Sequence, residues 1–210
     1  ACGAKHRGHV VALFLKVRGD LILVGDLMKS VSLLQCTAAS GELKELSRDF
    51  NANWMSGVEV LDDDTFIGAE NSFNIFTVKR NSDAGSDEER QRLECVGEFH
   101  TGEFINRFRR GSLVMRAPDS EVAACPTLIF GTVNGTIGVI ASLPKHIFDF
   151  ALKLQGVLQG VIGGVGGLSH AEWRAFCSDR KEAPARNFVD GDLIEAFLEL
   201  RRPRMEEVSS

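Results

Sequence analysis

The densest cluster of side chains able to do chemistry is Asp62-Asp63-Asp64. Three consecutive carboxylates are hard-oxygen ligands suited to a divalent cation. They fall, however, between two short apolar runs, where acidic residues commonly cap turns, and the turn is the reading adopted. Asp190-Gly191-Asp192 looks like a fragment of a calcium loop, but the other ligands of such a loop are missing. It is read as a helix cap. The five histidines (His6, His9, His100, His146, His170) share no motif with a Ser, Cys or Asp nucleophile, and His100, beside a strand, is read as structural. No nucleophile elbow, zinc-protease or kinase signature occurs. The five cysteines (Cys2, Cys36, Cys95, Cys125, Cys177) are odd in number, scattered, and form no Cys-x-x-Cys. That pattern suits reduced thiols in an intracellular protein better than a metal site or a disulfide framework. The expectation is a non-enzyme with no catalytic residue, no metal site and no cofactor.

What, then, do the elements position? At 210 residues, with 44% apolar and 25% charged residues, the chain has the composition of a soluble globular protein. It is long enough to bury roughly 70% of its surface. No apolar run approaches a membrane span, and the start lacks the pattern of a secretory signal. The net charge of −5 disfavours direct binding to nucleic acid, which relies on basic faces. Arg107, Arg109 and Arg110 form the only basic cluster in the first 150 residues, and no aromatic ladder accompanies it. The chain starts at Ala1 and ends with helix-forming residues still running, so it is expected to be a piece of a longer protein.

Three stretches repeat one pattern: DLILVGDLMKSVSLL (20–34), DTFIGAENSFNIF (64–76) and TLIFGTVNGTIGVI (127–140). In each, a short apolar run meets a glycine (Gly25, Gly68, Gly131), a polar turn follows, and a second apolar run returns. Short apolar runs bounded by turn residues predict strands, so each copy is a hairpin. Asn134-Gly135 supplies the positive φ that a tight turn needs. Further strands are predicted at 10–17, 57–61 and 104–114 before the hairpins, and at 42–50 and 93–99 after the first two. That gives about four strands per unit, and the first spacing of 43 residues between glycines matches a propeller blade of ~40–45 residues. The longer second spacing contains the polar segment 81–91, read as an exposed insertion. Three blades cannot close a propeller, which has typically 4–8, so further blades are expected outside this chain. Open blades leave unpaired strand edges, and the isolated piece is expected to be poorly soluble.

After Leu143 the periodicity becomes helical, with apolar residues from Ile147 to Val161. Ser169 and Glu172 form a capping-box pair, Asp192 and Glu195 open a third helix, and Pro203 sits where a fourth would begin. The glycine run 163–167 is a flexible connection, since it lacks the Gly-Lys-Ser/Thr ending of a phosphate loop. The predicted class is mainly β with a C-terminal α domain. Residues 1–143 form the last blades, about three four-stranded ones, of a WD-repeat-like β-propeller. Residues 144–210 form a small, incomplete helical domain.

The strings FLKVRGDLILVGDLMKSVSLL, RDFNANWMSGVEVLDDDTFIGAENSFNIF, FGTVNGTIGVI and FVDGDLIEAFLELRRPRM together resemble the damage-binding propeller adaptors of cullin-RING ubiquitin ligases. These adaptors belong to the cleavage/polyadenylation-factor large-subunit superfamily. The resemblance covers nearly the whole chain, and RNA-processing members of the superfamily match the same words less well. It implies a three-propeller scaffold in which the first and third propellers clasp a helix from a substrate receptor and the second docks the cullin. This chain would carry the end of the third propeller, and therefore half of the receptor cleft and none of the cullin surface. DNA would be contacted only through a receptor, in the nucleus and cytoplasm, and no membrane is involved. The cleft positions implied by the resemblance are Val11, Leu13, Phe14 and Leu27 in the first blade, and Trp54, Ser56, Gly57, Asn71 and Phe73 in the second. Phe104, Asn106, Arg107 and Val133 follow in the third. Arg107 stands where an apolar residue is expected, and Val11 where a longer apolar one is. An apolar groove with amide edges suits an amphipathic helix, whereas blade core would equally use residues such as Leu13 and Phe73. The alternative class is an RNA-processing scaffold that binds nucleic acid or partner proteins. A propeller enzyme has only Asp62–Asp64 to offer.

Overall fold

A computed structural model of the protein describes residues 3–37, 40–112 and 125–209. Strands β1 (Ala12–Arg18), β2 (Leu21–Asp26), β3 (Val31–Thr37) and β4 (Glu42–Arg48) form one four-stranded sheet in sequential order. Strands β5 (Met55–Val60), β6 (Thr65–Glu70), β7 (Asn74–Arg80) and β8 (Leu93–His100) form a second sheet of the same topology. All pairs are antiparallel, so each unit is a meander built from consecutive hairpins. Strands β9 (Ile105–Arg110), β10 (Thr127–Thr132) and β11 (Ile137–Ala141) form the third sheet. Of the strand predicted over 104–114, Leu113 and Val114 lie outside the described residues. The fold is thus mainly β, with propeller blades followed by helices.

Each blade's first strand packs on that of the next, β1 on β5 and β5 on β9. Two apolar layers fill the gaps. Leu23, Leu33, Val58, Phe66 and Phe76 are buried between blades 1 and 2, and Ile67, Ile75, Ile105, Phe108 and Leu128 between blades 2 and 3. Full burial of one such side chain stabilises by about 1.5–3 kcal/mol. Blade 2 has a neighbour on each face, and all six residues of β5 are buried. In β1 the pattern alternates instead, and Leu13, Leu15 and Val17 are 47, 62 and 69% exposed. A partly buried ion pair, Lys16 Nζ to Glu59 Oε2 at 2.6 Å, fastens β1 to β5.

Pairing registers refine the repeat. Gly25 precedes the first turn at the position that Ala69 and Gly131 occupy in the other two blades. Gly68 therefore lies one residue earlier, and a Cβ there would stand 2.6 Å from the Phe76 ring and 2.7 Å from Met55 Cε. Its absence of a side chain serves packing. The insertion 81–91 is exposed, as its polarity predicts, but it contains a helical turn, α1 (Asp87–Arg90), capped by the Ser86 side chain. Its end is tied to blade 1, since Arg48 N donates to the Gln91 carbonyl at 2.9 Å.

The remaining elements are α2 (Lys145–Val161), α3 (His170–Arg174), β12 (Phe176–Cys177), β13 (Glu182–Ala183), α4 (Gly191–Glu195), a 3₁₀ turn over Ala196–Glu199, and α5 (Arg202–Ser209). The capping box at Ser169 and Glu172 is formed, and Asp190 caps α4 through Asp192 N. Helix α2 packs on α4 and α5. The stretch from Trp173 to Phe188 turns back onto blade 2, which helical periodicity does not reveal. Phe176 is 2% exposed within the core between blades 1 and 2. Arg186 exchanges both backbone hydrogen bonds with Glu98 on the outer strand β8, at 2.8 and 2.9 Å. The edge of blade 2 is thereby covered, a common protection of exposed strand edges.

Candidate partner-binding surface

Because β1 and β2 are antiparallel, the start of β1 and the β2–β3 turn lie at the same end of blade 1. The same holds for β5 with the β6–β7 turn, and for β9 with the β10–β11 turn. All thirteen positions implied by the resemblance fall on these lead-in strands and turns, at one end of three adjacent blades. One backbone hydrogen bond recurs at this end. Leu27 N donates to Val11 O at 2.8 Å, Asn71 N to Trp54 O at 2.9 Å, and Val133 N to Phe104 O at 3.0 Å. The three pairs are equivalent, one per blade.

The turns share a second device. Asp26 Oδ1 accepts from Met28 N and Lys29 N at 3.0 and 3.1 Å. Glu70 Oε1 accepts from Ser72 N and Asn74 N at 3.0 and 3.2 Å, and Thr132 Oγ1 from Thr136 N at 3.1 Å. These local side chain-to-backbone bonds satisfy turn donors that the ladder leaves unpaired. Sequence reasoning did not single out Asp26, Glu70 and Thr132. The available signal was a polar residue either side of three loop residues, at 26/30, 70/74 and 132/136.

Exposure sorts the thirteen positions. Val11, Leu13, Trp54, Phe73 and Val133 are large apolar side chains between 39 and 63% exposed. Asn71, Asn106 and Arg107 are exposed polar neighbours, and Leu27 and Phe104 are half-buried. Phe73 meets Phe104 edge-on across the blade 2–3 boundary, with centroids 6.3 Å apart. Phe73, for which blade core was the competing reading, lies at the surface, whereas Leu13 shares the open face of β1 with Leu15 and Val17. Phe14 packs against the core layer between blades 1 and 2. Ser56 and Gly57 are buried in β5, and a Cβ on Gly57 would lie 3.2 Å from the Phe108 ring. The other ten of the thirteen positions are thus exposed or half-buried at this end of the blades, whereas Ser56 and Gly57 are buried and Phe14 packs against the core layer.

The segment following the blades borders this rim. Arg174, 8% exposed, donates through Nε to Asp190 Oδ2 at 2.6 Å, and through Nη1 to the carbonyls of His100 and Thr101 at 3.2 and 3.3 Å. His170 Nε2 is 2.8 Å from the same Asp190 oxygen. Burial pushes the Asp190 carboxyl upward, but the bonds and charges of Arg174 and His170 outweigh it and hold the group below its ordinary value. Asn74 bonds reciprocally with the Cys177 backbone, Nδ2 to O at 2.8 Å and N to Oδ1 at 3.3 Å. Its Oδ1 also lies 2.8 Å from His100 Nδ1. Burial and the Arg174 cation lower the His100 pKa, and because the amide oxygen can only accept, Nδ1 is the donor in this contact. Further along, Arg180 Nη1 donates to Ala52 O at 2.5 Å, two residues before Trp54.

Several of the carboxylates and thiols singled out in the sequence have architectural partners or perturbed protonation. Asp62 Oδ1 accepts from Asp64 N and Thr65 N at 2.9 and 2.7 Å, a turn cap, and Asp63 pairs with Arg18 at 2.8 Å. Burial, with the Glu98 carboxylate nearby, pushes the Cys95 thiol up to about 11, which leaves it protonated and a poor nucleophile at neutral pH. Among the described residues no helix is long and apolar enough to cross a membrane.

Successive antiparallel meanders, each packed by its first strand on that of the next, are blades of a partial β-propeller. The chain belongs to the family described as the CPSF A subunit region, which matches residues 3–199. Over 208 residues, 99% of this chain, it is 62% identical to DNA damage-binding protein 1a of Arabidopsis thaliana. The same share is 62% identical to DNA damage-binding protein 1 of Solanum lycopersicum and 61% identical to that of Oryza sativa subsp. japonica. The chain spans 19% of the length of each of these relatives.

Proposed function

We propose that this chain is the C-terminal part of a non-enzymatic adaptor of a cullin-RING ubiquitin ligase. Its rim is one wall of a cleft for the helical motif of a substrate receptor. The observation that carries the reading is the equivalence of the pairs Val11–Leu27, Trp54–Asn71 and Phe104–Val133, which lines apolar side chains along one end of three blades. Exposed apolar patches rimmed by polar groups mark protein-binding sites, and an amphipathic helix fits a groove edged by Asn71 and Asn106. The cullin docks on a different propeller of the whole protein. DNA damage repair follows as a process, in keeping with the name of the relatives, and DNA is reached through a receptor. Residues 1–143 act as blades and 144–210 as a helical domain, in the nucleus and cytoplasm, without a membrane or cofactor.

The test is the affinity of the full-length protein for a peptide carrying the helical motif of a cullin-ligase receptor. Trp54→Ala and Asn71→Ala are expected to weaken it by more than about 1 kcal/mol each, the size of an interface hot spot. The family description favours one other reading, an RNA-processing scaffold. Binding to RNA that falls with salt, and is indifferent to Trp54, would support that reading instead.

A further inference from the structure

Phe73 has a left-handed backbone, with φ of +65°. The equivalent residue of blade 3 is Gly135, with φ of +92°. Each closes a three-residue loop, Asn71-Ser72-Phe73 and Val133-Asn134-Gly135, in which the last position takes the left-handed conformation that glycine normally supplies. An aromatic residue there is strained, and such strain persists only where its surroundings over-determine it, typically at functional sites.

The surroundings are specific. The Phe73 carbonyl accepts two hydrogen bonds, from Thr101 N at 2.9 Å and Thr101 Oγ1 at 2.6 Å. Glu70 Oε1 holds the N–H groups on both sides, Ser72 and Asn74. Arg174 in turn holds the Thr101 carbonyl, and the Cys177 backbone holds Asn74. The phenylalanine ring gains little burial in return, being 44% exposed with Phe104 at its edge.

We infer that Phe73 is a pre-positioned contact residue of the rim, and that Thr101 and Arg174 are its positioning residues. The segment after the blades then sets the partner-binding geometry of blade 2. The inference rests on the receptor-cleft reading above and deepens it. A helix seating on the rim would meet a ring whose backbone is already fixed, so little ordering remains to be done on binding.

The experiment uses the full-length protein and the same receptor helical peptide, with thermal melting beside affinity. Phe73→Gly is expected to melt no lower than wild type, because strain is relieved, while affinity falls about tenfold, equivalent to about 1.4 kcal/mol. Thr101→Val is expected to lower affinity with Phe73 intact, and Thr101→Ser, which keeps the hydroxyl, to restore it. If Thr101→Val fails to fold, Phe73→Gly decides the claim alone. Wild-type affinity in Phe73→Gly, with Trp54→Ala still impaired, would overturn the inference and leave the cleft reading standing. Wild-type affinity in Trp54→Ala as well would overturn both.

Discussion

The Glu70 carboxylate, 2% exposed, ends β6 and organises the turn that presents Asn71 and Phe73. Burial raises its pKa, and the donors from Ser72 and Asn74 offset this only in part. A carboxyl whose folded pKa is raised contributes most below its unfolded pKa and loses that contribution as pH rises through the folded value. Glu70→Gln, which keeps an oxygen for the N–H groups, is therefore expected to melt no lower than wild type at neutral pH. The difference should close on acidification into the carboxylate range. Melting curves across that window check it, and a marked loss of stability at neutral pH would show that the charge is needed. The sequence shows Glu70 only as one polar letter in GAEN. Its role becomes legible when Asp26 and Thr132 are found at the same register, because the shared property is geometry and not residue type. The resemblance names Phe73, but its left-handed backbone is not legible, because an aromatic residue suggests core rather than a turn position.

At the scale of elements, the hairpins were legible because short apolar runs bounded by Gly, Asn and Asp have few other solutions. The strands over 21–26, 65–70 and 127–132 fall where the pattern places them. The return of Trp173 to Phe188 onto blade 2 was not legible, since β12 and β13 are two residues each and their stability is tertiary. That docking depends on the buried Arg174–Asp190 pair. Removing one partner of a buried pair costs about 3–5 kcal/mol, because the other charge is left uncompensated. Asp190→Ala in the full-length protein is thus expected to speed amide exchange across 170–199 while the core of blade 2 stays protected. The lowered pKa of Asp190 gives the sign of the pH dependence. Its contribution is present above the ordinary carboxylate range and is lost as pH falls through the folded value, so the two proteins should converge in acid. Unchanged exchange at neutral pH would contradict this role.

At the scale of the molecule, the described residues form consecutive modules, and among them only blade 2 is enclosed on both faces. Leu13, Leu15 and Val17 on β1, with Ile137 and Val139 on β11, leave apolar faces at both ends of the array. Such faces and strand edges pair with other chains. This chain expressed alone is expected to self-associate, which sedimentation would show as species larger than a monomer, and a monodisperse monomer would contradict it. The family and the fold class were legible because long specific words such as NWMS and GAEN carry them, and the resemblance resting on the same words supplied the proposed rim positions. Which of those positions face outward was not legible, because Ser56 and Gly57 differ from Trp54 only in where β5 meets blade 3. The central claim is that this outward set binds a receptor helix, and its most direct test is the affinity of full-length protein for that peptide with Trp54→Ala and Asn71→Ala. Losses of more than about 1 kcal/mol in both, with the fold intact, are expected. Wild-type affinity in both would contradict the account and return these residues to blade architecture.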